Sequence, residues 1–276
     1  MSWHAHLQLN YTHEDSRTNL HSLHQGPMRV LQSLYPEGPA ICHNVLIHPP
    51  SGLVSGDHID IQIQLQANAH ALITTPGATR FYRSTGEACT QSTEARLSAG
   101  ARLEWLPMET IAYNECQAHN RVCFHLEPGA QVLGWDVTAF GLPAANQPFE
   151  HGEFMQELSL HGHWLEKARI RADDLALMQG PTGLAGQGCV ATMFFLSGSP
   201  LAKDSASALL DKARELLQQQ PHSQLAGVTQ TGPHVLVLRV LADYVEPALN
   251  LLKAQRRLWR EQLWGLPARD PRIWAT

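Results

Sequence analysis

The sequence predicts a mainly β protein with two α-helices near its C-terminus, and three observations carry that reading. The segment Ile59-Asp60-Ile61-Gln62-Ile63-Gln64-Leu65 alternates apolar and polar residues strictly, as a strand with one buried face does. Gly and Pro recur every few residues from about 40 to 200, which leaves little room for a long helix. Beyond residue 204 the apolar period changes from 2 to that of a helix.

Taken in order, the first element of defined shape is the loop from His48 to Asp57. It contains Pro49, Pro50, Gly52 and Gly56, enough to fix its path. After the alternating strand comes Leu72-Ile73-Thr74-Thr75, stopped by Pro76-Gly77, a strand ending in a tight turn. The far side of that turn presents Arg80, Tyr82 and Arg83. A faint repeat runs through this region: Asn68-Ala69-His70-Ala71-Leu72, Gly100-Ala101-Arg102-Leu103-Glu104 and Gly129-Ala130-Gln131-Val132-Leu133. The spacings are 32 residues (68 to 100) and 29 residues (100 to 129). Such periods fit stacked β units of a solenoid, and equally a meandering sandwich with similar hairpin turns.

The Gly-rich run from Gly183 to Gly188 leads into Cys189-Val190-Ala191-Thr192-Met193-Phe194-Phe195, a buried strand. It is therefore a turn, and not the helix N-terminus that would hold a phosphate. Apolar residues at 206, 209, 210, 213, 216 and 217 make a one-face helix over 204–220, capped by Asp204 or Ser205 and ended by Pro221. A strand follows at 235–241. A second helix spans 245–264, with Pro247 in its first turn, where a missing N–H matters little. Its Lys253, Arg256, Arg257 and Arg260 share one face, read as solvated surface. The whole of 1–276 reads as one domain, a β-rich body over about 10–200 and a helix-containing part over 201–276, with no linker between them.

A net charge of −5 argues against a nucleic-acid partner. The longest apolar stretches are too short to span a bilayer. The start lacks the basic and apolar regions of a secretory signal. Five cysteines without a CxxC pair fit a reduced, cytoplasmic protein. No GxSxG, HExxH or P-loop is present.

The candidate chemistry is carried by carboxylates in strands and Gly-rich loops: Glu37, Asp57, Glu104, Glu109, Asp136 and Glu166. A buried carboxylate needs an arginine, water or a cation to be tolerated. Glu104 and Glu109 can also be read as a glycosidase acid and base, which gives the alternative of a β-helical carbohydrate-active enzyme. Cys42, His43 and His48 are the candidate metal ligands, though without the compact spacing of a structural zinc site. Trp259, Trp264 and Trp274 are candidate contacts for a protein partner.

Five segments resemble the urease accessory protein D family (UreD, called UreH in some species). They are His24-Gln25-Gly26-Pro27-Met28-Arg29-Val30 continuing to Tyr35-Pro36-Glu37-Gly38; the loop from His48 to Asp57; the run from Thr74 to Ser84; Leu103-Glu104-Trp105-Leu106-Pro107-Met108-Glu109-Thr110-Ile111; and Pro271-Arg272-Ile273-Trp274. The departures are Ser51 and Ser55 where Gly is common, and Met108 where Gln is usual. The resemblance favours the β-helix-like, solenoid stack over the sandwich. It implies a maturation chaperone, not an enzyme, that binds urease apoprotein, joins the accessory protein UreF and the nickel GTPase UreG, and helps conduct nickel to the urease active site. It implies no tightly bound cofactor, only transient nickel. Asp57 and Glu166 lead the candidates for the nickel path, with Glu37, Glu104, Glu109 and Asp136 beside them.

Overall fold

A computed structural model describes residues 2–221 and 223–275. The chain opens with an antiparallel pair, β1 (His4–Glu14) and β2 (Arg17–Gln25), and a two-residue strand β3 (Arg29–Val30). It then alternates between two sheets. β4 (Ile41–Ile47) lies in the second sheet, β5 (His58–Leu65) in the first and β6 (His70–Thr74) in the second. After a short β7 (Thr79–Phe81), β8 (Cys89–Leu97) returns to the first sheet and β9 (Arg102–Leu106) to the second. After β10 (Thr110–Ala112), β11 (Cys116–Leu126), β12 (Gln131–Phe140) and β13 (Gly152–Leu160) continue the alternation. β14 (Trp164–Arg171) turns back antiparallel on β13.

The result is a solenoid of about four turns, and the sandwich alternative falls away. β1, β5, β8, β11 and β13 stack in parallel in one wall, and β4, β6, β9 and β12 in the other. The faint repeat is the corner of each turn. His70, Arg102 and Gln131 are direct lateral partners, and Ala69, Ala101 and Ala130 beside them are fully buried. Asn68, Gly100 and Gly129 all hold φ between 62° and 80°, so each corner uses a left-handed residue. A Cβ on Gly100 would sit 2.5 Å from Asn68 Oδ1 of the turn below.

Beyond the stack, a five-residue helix α1 (Leu175–Gln179) that the apolar pattern does not signal is capped by the Asp174 carboxylate, which accepts from Leu177 N. The Gly-rich run then leads into β15 (Cys189–Ser197), as its sequence requires. α2 (Lys203–Gln218), the hairpin β16 (Ala226–Gly232) and β17 (Val235–Ala242), and α3 (Val245–Trp264) complete the chain. Both long helices fall where their periodicity places them. α2 starts after Ala202 without a side-chain cap, so neither Asp204 nor Ser205 plays that part.

Two cores result. Inward residues of both walls, such as Leu7, Ile61 and Phe124 from the first and Ile73, Leu103 and Val132 from the second, fill the solenoid. The outer face of the second sheet packs against α2 and α3 through Leu72, Trp135, Phe195, Leu209 and Leu252. That sheet is covered on both sides, which is why β15 is an apolar run with no alternation.

The basic face of α3 is solvated only in part: Arg257 is exposed and Lys253 half-buried, but Arg256 and Arg260 are enclosed. Glu104, Arg256 and Arg260 are each 0% exposed. Arg256 donates to Glu104 Oε2 from Nε (2.9 Å) and Nη2 (2.6 Å), and Arg260 Nε donates to Glu104 Oε1 at 3.0 Å. Arg260 Nη1 reaches Glu37 at 2.7 Å, and His43 Nε2 lies 2.9 Å from the same carboxylate. Arg256 also binds Asp270 and the Arg269 carbonyl, and Arg260 the Pro267 carbonyl, so both arginines clamp the C-terminal segment. Burial pushes the Glu104 carboxyl up, but Arg256, His70 and Arg260 outweigh it and hold the group well below the usual carboxylate range.

Glu104→Ala removes the carboxylate that both buried arginines share and leaves them only Asp270 and Glu37, so a loss of about 3–5 kcal/mol is expected in urea unfolding. Because the folded-state value is depressed, this stabilisation is present above the ordinary value of 4.5 and is lost as the pH falls below it. Wild-type stability should therefore drop more steeply than that of the variant below about pH 4.5.

Candidate functional site

Inside the solenoid a polar line runs between apolar core residues. Gln91 of β8, Asn120 of β11 and Gln156 of β13 are direct lateral partners on three adjacent strands. Gln91 Nε2 donates to Asn120 Oδ1 at 3.4 Å, and Asn120 Nδ2 donates to Gln156 Oε1 at 3.2 Å. From the opposite wall Asp136 of β12 meets them. Its Oδ2 accepts from Asn120 Nδ2 and Gln156 Nε2, both at 3.3 Å, and its Oδ1 accepts from Thr138 Oγ1 at 3.2 Å. These contacts favour an ionised carboxylate, yet burial dominates and pushes Asp136 up to about 6.

Each end of this line opens on a cavity. One, of about 200 Å³, lies under the Pro76-Gly77 turn and is lined by His48, Ser51, Thr75, Thr79, Arg80 and Gln91, among others. The other, of about 310 Å³, lies between the walls and is lined by Asp136, Thr138, Gln156, Glu166, Thr192 and Arg239, with apolar neighbours. Across the second cavity Arg239 Nη2 of β17 pairs with Glu166 Oε1 of β14. Gln91 thus faces the first cavity and Gln156 with Asp136 the second.

The donors of this line are carboxylate, amide and hydroxyl oxygens. Among the described residues, no group of three or more His, Cys, Asp or Glu is arranged to hold a metal ion. A sparse oxygen set binds a borderline divalent cation weakly, which suits passage better than storage.

The candidates from the sequence divide accordingly. Asp136 and Glu166 line one cavity. Asp57 is buried, and its oxygens accept from Trp3 N (2.8 Å) and Val54 N (2.9 Å), so it pins the loop beside His48. Glu37 and Glu104 are held by the α3 arginines, the outcome that a buried carboxylate with an arginine partner always allowed. Glu109 is half-buried, and its carbonyl accepts from Thr79 N. With both Glu104 oxygens on arginine and no solvent contact, the acid–base pair of the carbohydrate-active alternative is not formed.

Cys42, His43 and His48 do not converge. Strand alternation sends Cys42 into the solenoid core and His43 outward to Glu37, while His48 lies past the end of β4 in the first cavity. The three tryptophans also fall elsewhere than an open interface. Trp259 is fully buried and Trp264 nearly so, and the Trp264 indole N–H donates to Gln131 Oε1 at 2.7 Å. Trp274 is partly buried against the helix–sheet core, with its N–H on Thr74 Oγ1 at 2.8 Å. They seal the layer that holds the buried arginines.

Sequence reasoning missed Gln91, Asn120, Thr138, Gln156, Thr192 and Arg239. One signal was available: Gln91 and Asn120 are 29 residues apart, the same step as Gly100 to Gly129. Equal steps place them on the same row of successive turns.

A family model described as "UreD urease accessory protein" matches residues 4–275. Proteins named "Urease accessory protein UreD" match over 100% of both chains. That of Variovorax paradoxus (strain S110) is 54% identical over 276 residues, and that of Leptothrix cholodnii is 51% identical over 278. That of Methylibium petroleiphilum is 44% identical over 296 residues.

Asp136 gives a pH signature. Its folded-state value is raised from 3.8 to about 6, so the native state holds more protons across that window and stability falls as pH rises through it. Asp136→Asn should flatten the dependence and gain about 1–2 kcal/mol at pH 7.5 relative to pH 5, read from urea midpoints. Parallel pH profiles of the two proteins would show that the buried carboxyl is not what titrates.

Proposed function

The chain belongs to the UreD family of urease accessory proteins and serves urease maturation as an accessory factor, not as an enzyme; from that premise we propose that it conducts nickel toward the urease active site through its own interior. The supporting observation is the unbroken polar line from Gln91 to Asp136, which joins two cavities through the interior of the solenoid. A buried row of amides ending at a carboxylate offers a travelling cation successive oxygens, each too weak to trap it.

In this reading Asp136 and Glu166 are the charged stations, and the amide and hydroxyl oxygens lie between them. Nickel is cargo and not a resident cofactor. The chain docks on urease apoprotein and joins UreF, and through that complex it works with the GTPase UreG. Hydrolysis of GTP falls to the partner, since this sequence has no phosphate loop. Exposed apolar side chains such as Leu23, Leu34, Leu165 and Leu175 are available to such partners. No described helix is long and apolar enough to cross a membrane, and the described cysteines are all free, which supports a cytoplasmic setting.

Asp136→Asn and Glu166→Gln should leave folding and co-purification with the partners intact. Nickel bound per urease, measured after co-expression, should fall by about tenfold, the factor that about 1.4 kcal/mol of lost cation binding represents. Normal nickel loading with both substitutions combined would end the proposal.

A further inference from the structure

We propose that Arg239 is the internal gate of this path, a tethered counter-cation that occupies Glu166 while the cavity is empty and that the travelling divalent cation displaces. The inference rests on the nickel-path reading above and adds to it how the charged station is kept both empty and releasable.

Three observations carry it. First, the ion pair spans the cavity from wall to wall. Arg239 lies opposite Thr192 on β15 in the second sheet, while Glu166 lies opposite Leu158 on β13 in the first. The pair is therefore not a contact between laterally adjacent strands. Second, among the residues lining this cavity, Arg239 is the only arginine or lysine, facing the carboxylates of Asp136 and Glu166. Third, the guanidinium is only partly satisfied. Its Nη2 holds Glu166, but its buried Nε has no hydrogen-bond partner, and the side chain is 42% exposed.

The contrast with α3 is instructive. Arg256 and Arg260 are fully buried and held by carboxylates and backbone carbonyls at once. Arg239 has one carboxylate and a side open to solvent, so it can swing out as an arriving cation takes its place on Glu166. A partly exposed ion pair is weakly held, and a divalent cation attracts the same carboxylate with twice the charge. Without the guanidinium, the empty cavity would carry uncompensated negative charge, and an arriving cation would have no competitor to drive it off again. Arg239 lowers affinity and speeds release.

The test is calorimetric titration of purified full-length chain with Ni2+ alone, with chelator stripping to measure release. Arg239→Gln and Arg239→Ala should each bind Ni2+ about tenfold tighter and release it correspondingly more slowly. Arg239→Lys, which keeps the charge, should stay close to wild type. Melting curves identify any variant that fails to fold, and the two neutral substitutions supply independent readings. Unchanged Ni2+ affinity and release in both neutral variants, with only a lower melting temperature, would make Arg239 an ordinary tie between the walls and overturn the gate. Glu166→Gln separates the two readings. If it weakens Ni2+ binding while the Arg239 variants change nothing, the gate fails and the path stands. If Glu166→Gln and Asp136→Asn both bind as wild type does, the path itself fails.

Discussion

Arg256 and Arg260 reach complete burial because Glu104, equally buried, stands between them with both oxygens engaged. Much of the rest depends on this contact. Glu104 projects from the outer face of the second sheet, two rows from the corner where His70, Arg102 and Gln131 align. Through it the last helix is fixed to the solenoid, and through Arg260 to Glu37 the same helix reaches the segment before β4. The arginines hold the carbonyls and carboxylate of residues 267–270, which brings Trp274 onto Thr74 and beside Trp135. A buried charge cluster of this kind is weak evidence for net stability, but losing one partner is severe. Here it ties α3 to three carboxylates, Glu104, Glu37 and Asp270, from three separate stretches of chain.

The same chain uses buried polarity in a second and different way. Inside the solenoid, the line from Gln91 to Asp136 is mostly neutral amide, and its one carboxyl is pushed up to about 6 by burial. At the α3 cluster arginines overcome desolvation, whereas at Asp136 desolvation wins over hydrogen bonds from neutral donors. The two sites are separated by a single sheet, with Trp135 on the helix side of β12 and Asp136 on the bore side. Alternation along one strand thus separates a structural charge cluster from the candidate path.

The outline of this architecture was legible in the sequence because each signal had a local cause. Strict alternation at Ile59 to Leu65 comes from a wall with one solvated face. The stripe at 206–217 comes from a helix lying on a sheet. The repeated corner was visible because a left-handed residue and a small neighbour recur at each turn. What was hidden depends on contacts between distant residues. The face with Arg256 and Arg260 looks like any solvated basic face until Glu104, more than 150 residues earlier, is placed against it. Likewise Trp259 and Trp264 read as sticky surface only while the layer they fill is unknown. Gln91, Asn120 and Gln156 carry no motif; only register makes them a line. Asp136 and Glu166 could be nominated as carboxylates in apolar strands, but their common cavity depends on how the antiparallel β14 closes the stack.

That closure also sets a length. Parallel strands stacked in register have no intrinsic end, and a further turn could be added to such a stack without altering the geometry of the others. Here β2 and β14 lie antiparallel at the two ends of the first wall and stop the series. The strand spacing then acts as a ruler. Gln91 and Gln156 are two strands apart, so the polar line covers roughly 10 Å along that wall, at about 4.8 Å per strand. A solenoid can change such a span only in whole turns, so the distance between the two cavities is quantised, and side-chain substitution alone cannot reset it.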